Sequence, residues 1–305
     1  MIMLQAVAAA AVTLAQDNPE HFSKLTAIIL AIVEGLTEFL PISSTGHMIL
    51  AQGLLKIPGT SFAKVYLINI QFGAILSVLV LYFRRFFSFR SPDFYFKIAI
   101  AFIPAAVLGF LLNKQIDALL ESVTTVAISL IVGGIVIIVT DRIYRDRIVE
   151  PAPDTIKADD GEVVIVDKLP PIHLTYIQSF IVGCYQTIAM IPGVSRSAVT
   201  IVGGLTQGLK MYEAAEFSFF LSVPTIAAAA LYKTYKGFDA IRGTDMENLL
   251  IGNVVAFIVA MIAIKYFIGF ISKFGMKLFG YYRIILGIII LVSIYVFHMP
   301  LDIIK

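Results

Sequence analysis

Long apolar runs with charge confined to their ends dominate this chain. Crossing the hydrocarbon core of a bilayer takes about 20 apolar residues at about 1.5 Å rise each. Six runs meet or approach that length: 65–83, 96–112, 123–140, 215–232, 249–270 and 281–297. Each predicts a transmembrane helix. Lys265 is the one charge inside a run, near enough to its end to snorkel.

Two further hydrophobic segments, 25–56 and 174–210, do not read as clean spans. The first is broken by Pro41-Ile42-Ser43-Ser44-Thr45-Gly46, the second by Pro192-Gly193-Val194-Ser195-Arg196-Ser197. Proline and glycine end helices. Lipid does not tolerate exposed irregular backbone, so such a break must be wrapped in protein or line a wet cavity. Both segments are therefore expected to be re-entrant hairpins, entering and leaving on one face.

Superposing the two hairpins on their serines places Glu34 opposite Gln186, Ser43 opposite Ser195 and Ser44 opposite Arg196, an offset of 152. Three spans follow each hairpin. An odd number of spans per half forces opposite orientations. The expected fold is thus an all-α polytopic membrane protein with an inverted-topology repeat, six full spans plus two re-entrant helical hairpins. Residues 24–141 form the first repeat and 173–305 the second. A polar linker, 142–172, joins them, and 1–23 is an N-terminal extension, read as an extra helix in preference to a cleaved signal peptide. Lys and Arg in short loops set orientation. Arg84, Arg85, Arg90, Lys97, Lys273 and Lys277 share one side, whereas Lys114, Lys233, Lys236 and Arg242 share the other, which places both termini outside.

Composition agrees. Of 305 residues, 59% are hydrophobic and 14% charged, against about 25% charged in soluble domains. A single cysteine, Cys184, excludes a disulfide scaffold, and a net charge of +2 gives no reason to expect nucleic acid as partner. With no Trp, any aromatic belt must come from the 13 Tyr, as at Tyr281 and Tyr282.

Chemistry concentrates at the two breaks. Glu34 and Glu38 are one helical turn apart among apolar neighbours, where two ionised carboxylates would repel strongly. They must share a proton or hold a cation, and oxygen-seeking Mg²⁺ or Ca²⁺ would suit. Intramembrane acids are functional candidates by default. Ser43, Ser44 and Thr45 suit a helix start, where free N–H groups and the dipole attract phosphate. His47, three residues beyond Ser44, would share its face and could handle its proton. In the second hairpin, Arg196 offers a planar fork for phosphate, flanked by Ser195, Ser197 and Thr200. A structural salt bridge from Arg196 to Glu34 or Glu38 is the competing role. Together these groups fit phosphoryl transfer, with Ser44 attacking and a cation and Arg196 neutralising charge; water or His47 itself could replace Ser44 as nucleophile.

At these residues the chain resembles the undecaprenyl-diphosphatase family, the bacterial undecaprenyl pyrophosphate phosphatases linked to bacitracin resistance. The likeness rests on Glu34-Gly35-Leu36-Thr37-Glu38-Phe39-Leu40-Pro41-Ile42-Ser43-Ser44-Thr45-Gly46-His47 and on Pro192-Gly193-Val194-Ser195-Arg196-Ser197 with Thr200. Weaker matches are Ile70-Gln71-Phe72-Gly73, Phe217-Ser218-Phe219 and Tyr282-Arg283-Ile284. The resemblance implies hydrolysis of undecaprenyl diphosphate to the monophosphate in a bacterial inner membrane, at a site facing the periplasm and dependent on a divalent cation. It implies metal binding by Glu34 and Glu38, and catalytic or phosphate-binding roles for Ser44, His47 and Arg196.

Two rivals remain. An acid-phosphatase-like lipid phosphatase needs a second histidine downstream of its arginine, with an acid shortly after, but the only His after Arg196 is His298, at the far end of the last span. A secondary transporter or flippase for an anionic lipid would share the broken helices and the charges. It would need no nucleophile such as Ser44. Oligomeric state, including a homo-oligomer, is left open.

Overall fold

The computed structural model describes residues 22–297 except 56, 58, 88–91, 121, 149–172 and 242. All but the last two residues of the expected N-terminal extension and most of the polar linker lie outside the described residues. Within them the secondary structure is entirely helical. Ten principal helices follow in order: α1 (Lys24–Thr37), α2 (Ser44–Leu55), α3 (Ser61–Leu81), α4 (Pro92–Leu111), α5 (Val123–Ile143), α6 (Tyr176–Ile188), α7 (Arg196–Thr206), α8 (Met211–Lys236), α9 (Thr244–Phe274) and α10 (Lys277–Tyr295). Short helical turns, among them Asn113–Leu120, join some of them.

Helices α3, α4, α5, α8, α9 and α10 are long and apolar enough to cross a membrane. Their outer faces carry hydrophobic side chains at helical spacing, such as Ile128, Val132, Ile135 and Val139 on α5, all about half exposed. A surface that apolar belongs in lipid. Polar caps start several helices: Ser23, Thr60, Ser122 and Thr175 each accept from the backbone N–H three residues on.

The remaining helices are too short to cross. With 14 residues in α1, 12 in α2, 13 in α6 and 11 in α7, each reaches only about 16 to 21 Å of the about 30 Å core. They form the two hairpins, α1/α2 and α6/α7, with their elbows at 38–43 and 189–195.

Each hairpin leans on a span from the other half of the chain. Helix α1 packs along α9, and α6 packs along α4. Both contacts are close because a glycine faces the neighbour's backbone: a Cβ at Gly35 would lie 2.8 Å from Ala256 O, and one at Gly183 would lie 2.3 Å from Ala101 O. Between them, α3 pairs with α8 and α5 with α10. The elbows therefore end inside protein, among Phe39, Phe219, Ala198, Ile201 and other fully buried side chains.

Candidate active site

The two elbows share an unusual backbone. Ser43 and Ser195 are the only non-glycine residues with positive φ among those described, at 70° and 74°. Such a residue is uncommon and costs strain, which the surroundings must offset. Each serine does so by capping the helix that follows: Ser43 Oγ accepts from Gly46 N, and Ser195 Oγ from Ala198 N, both at 3.3 Å. In the second elbow Gly193 also has positive φ, 89°, and a Cβ there would lie 2.5 Å from Val126 O.

The elbows meet. Arg196 donates through Nη2 to Glu38 Oε1 (3.0 Å), and through Nη1 to Ser218 O (3.0 Å) and Ser218 Oγ (3.2 Å). Its Nε is buried without a partner. Ser44 donates to the other carboxylate oxygen, Glu38 Oε2, at 2.7 Å. The expected pairing of opposite charges across the two breaks is thus present, and it takes the form of the salt bridge weighed as the competing role for Arg196. Of the five guanidinium N–H donors, those three bonds leave the one on Nε and the second on Nη2.

These groups line a cavity of about 560 Å³. Its polar lining at the elbows consists of Glu38, Ser43, Ser44, Thr45, Ser195 and Arg196, with Gln71, Gln186 and Thr225 also on its wall. Most of the remaining lining is apolar, including Phe102, Ala105 and Phe110 of α4, Ile226 and Ala229 of α8, and Met190 of the second elbow. Asn113, Tyr232 and Lys233, near the ends of their helices, also line it. A lining that joins polar groups at the elbows to apolar side chains of two spans suits a ligand with a charged head and a hydrocarbon tail.

Several expected residues sit elsewhere. His47 does not reach Ser44: its Nδ1 pairs with Ser43 O and its Nε2 with Tyr282 Oη, both at 2.7 Å. It faces a separate apolar groove with Leu36 and Phe270. The geometric reason is that Ser43, not Ser44, is the cap four residues before it, and its carbonyl captures the ring. Ser197 and Thr200 are fully buried and do not line the cavity. Ser197 Oγ donates to Leu40 O (2.8 Å), tying α7 to the first elbow. Thr200 Oγ1 lies 2.6 Å from Ser218 Oγ and so supports the group that holds Arg196.

Glu34 lies one turn behind Glu38, fully buried, with neither carboxylate oxygen partnered. An ionised carboxylate left so is very costly. Among the described residues no three metal-ligating side chains converge. The donor set nevertheless fits a divalent cation held by one or two carboxylates, with substrate oxygens and water completing the shell.

Sequence reasoning quoted Arg283 only within a weaker family match and gave it no role. It is fully buried on α10. Its guanidinium donates to Pro41 O (3.2 Å) of the first elbow, Gly193 O (2.8 Å) of the second, and Ser129 O (3.3 Å) and Leu130 O (3.4 Å) of α5. It stitches both elbows to the spans behind them. Next to Tyr281 and Tyr282 it reads as a residue at the membrane edge. Only the observed start of α10 at Lys277 puts it almost two turns into the helix.

The sequence matches the family described as bacitracin resistance protein BacA over residues 27–289. Among curated relatives, the undecaprenyl-diphosphatase of Flavobacterium psychrophilum is 51% identical over 283 residues, covering 92% of this chain and 99% of the relative. That of Bdellovibrio bacteriovorus is 50% identical over 276 residues, covering 90% and 98%. That of Porphyromonas gingivalis strain W83 is 46% identical over 290 residues, covering 88% and 95%. With near-complete coverage on both sides and a match spanning both elbows, the chain belongs to the BacA bacitracin resistance protein family.

Proposed function

We propose that this protein is an integral membrane phosphatase that converts undecaprenyl diphosphate to undecaprenyl phosphate and inorganic phosphate. That reaction returns the lipid carrier to cell-wall synthesis, and bacitracin resistance follows from it. The observation that carries the reading is the contact of Ser44 and Arg196 with one carboxylate, Glu38, in a cavity whose lining is otherwise largely apolar.

In this reading the tail lies along α4 and α8, and the terminal phosphate reaches the elbows. Ser44 Oγ attacks the terminal phosphorus as its proton passes to Glu38 Oε2. The bridging P–O bond breaks, and its electron pair leaves with the lipid monophosphate. Water then cleaves the phosphoserine, returning the proton to Ser44 and releasing inorganic phosphate. Arg196, through its free Nε, and the N–H groups that open α2 balance the charge on the transferring group. His47 holds the Ser43 turn and does not carry the proton of Ser44.

At the elbows the acids Glu34 and Glu38 and the arginines Arg196 and Arg283 sum to zero when all are ionised. A diphosphate entering such a site carries its charge uncompensated into low dielectric. We propose that Glu34, with Glu38, holds a divalent cation, Mg²⁺ or Ca²⁺, which would supply that compensation.

The setting is the bacterial inner membrane with the cavity mouth on the periplasmic side. Of its lining residues, Asn113 follows the end of α4 and Lys233 lies in the last turn of α8, on the side with fewer Lys and Arg. An inverted repeat fits this arrangement, supported by the paired serines of positive φ at an offset of 152 and by the reciprocal packing of α1 on α9 and α6 on α4.

The deciding experiment measures phosphate release by the purified protein from a defined prenyl diphosphate, with and without chelator. We expect release that stops on chelation and falls sharply in Ser44→Ala and Arg196→Ala. If both variants retain the wild-type rate while proteoliposomes move the lipid, the protein is a transporter. The relatives' names favour the phosphatase.

A further inference from the structure

Gln186 has no role in the scheme above, although its position aligns with that of Glu34 in the other hairpin. It is 2% exposed, and it lines the cavity. Its Oε1 accepts from Thr225 Oγ1 at 3.2 Å, while its Nε2 is buried with no partner. A buried amide donor left unmade is costly, and one at a cavity wall awaits an acceptor from a ligand.

Thr225 has one hydroxyl proton for two acceptors, Gln186 Oε1 (3.2 Å) and Leu221 O (2.8 Å). A helical carbonyl such as Leu221 O ordinarily has a backbone donor four residues on, so the hydroxyl can be spared for the amide. That choice leaves Nε2 as the amide's unpartnered donor, on a side chain that lines the cavity.

The position of the pair along the cavity selects the ligand atom. Gln186 lies about one turn before Ala189 and Met190, and Thr225 directly before Ile226, all apolar members of the same lining. A tail lying against these apolar residues is joined first to its own phosphate and only then to the terminal one. The terminal phosphate goes to Ser44, Glu38 and Arg196, so the phosphate beside Gln186 is the one the lipid keeps.

We infer that Gln186, oriented by Thr225, donates a hydrogen bond to the phosphate that remains on the lipid, and so binds substrate and lipid product alike but not the released phosphate. This rests on the phosphatase reading. The first hairpin accordingly presents acids and hydroxyls, whereas the second presents cationic and neutral donors to the bound anion.

The test uses full-length protein in detergent, with a prenyl diphosphate as substrate and the corresponding prenyl monophosphate or inorganic phosphate as inhibitor. Gln186→Met keeps length and removes the donor. Loss of a hydrogen bond to a charged group predicts a KM raised by about tenfold or more and monophosphate inhibition weakened by a similar factor. Inhibition by inorganic phosphate should stay unchanged, and kcat should fall less than KM rises. Thr225→Val should show the same pattern more weakly, and serves if Gln186→Met does not fold. Unchanged monophosphate inhibition, or equal weakening toward both inhibitors, overturns the assignment. If wild-type protein releases no phosphate at all, the phosphatase reading falls and this inference falls with it.

Discussion

Glu38 and Arg196, 158 positions apart in the chain, meet at 3.0 Å with side chains only 7% and 12% exposed. Removing one member of so buried a pair strands the other's charge, at a cost of about 3–5 kcal/mol. We therefore expect Glu38→Leu and Arg196→Met each to lower the thermal stability of the detergent-solubilised protein markedly. The double variant should recover most of that loss while staying inactive. Destabilisations that simply add would show that the two charges are not coupled.

Ser44 and His47, adjacent on paper, are separated by their partners. Ser44→Ala removes the attacking oxygen and should lower turnover by at least about a hundredfold, with little change in melting temperature. Tyr282→Phe removes only the hydroxyl on His47 Nε2, and a net hydrogen bond of about 1 kcal/mol corresponds to about a fivefold effect. A His47→Asn variant should be slower yet keep the shape of the wild-type pH–rate profile. A limb of that profile vanishing would return the proton of Ser44 to His47.

Arg283 is expected to be indispensable for the elbows. Arg283→Lys substitutes a compact ammonium for a planar fork that serves four carbonyls, and should lower both melting temperature and turnover. Gly133→Ala offers an independent check, since a Cβ there would lie 2.2 Å from Arg283 Nη2 and would push the guanidinium off its acceptors. The two variants should resemble each other. A fully active Gly133→Ala would mean that the clamp is dispensable.

Glu34→Gln tests the cation. If Glu34 holds it, the concentration of Mg²⁺ or Ca²⁺ giving half-maximal turnover should rise by about tenfold or more, with KM for lipid little changed at saturating cation. The same dependence in wild type and variant would remove Glu34 from the metal site and leave it protonated.

Much of the architecture was legible in the chain because bilayer physics is strict. A run of about 20 apolar residues has almost one solution, a spanning helix. The six runs did become spans, with ends shifted by a few residues. The elbows were legible for the same reason, since proline and clustered hydroxyls in the middle of an apolar segment admit little but a buried break. Arg283 was not. An arginine beside two tyrosines has the composition of a membrane edge, and nothing local reveals that Gly133 and four carbonyls make room for it.

The sequence by itself determined the membrane class, the two hairpins and the set of residues near their tips, because these follow from local composition and period. Tertiary structure decided which of those residues touch. It gave Glu38 to both Ser44 and Arg196, turned His47 to the Ser43 carbonyl and Tyr282, and left Ser197 and Thr200 behind the cavity as ties. Those choices depend on the positive φ of Ser43 and Ser195 and on the close packing of α1 on α9 and α6 on α4. Such long-range packing sets the direction of a side chain within an elbow, which spacing along the chain does not encode.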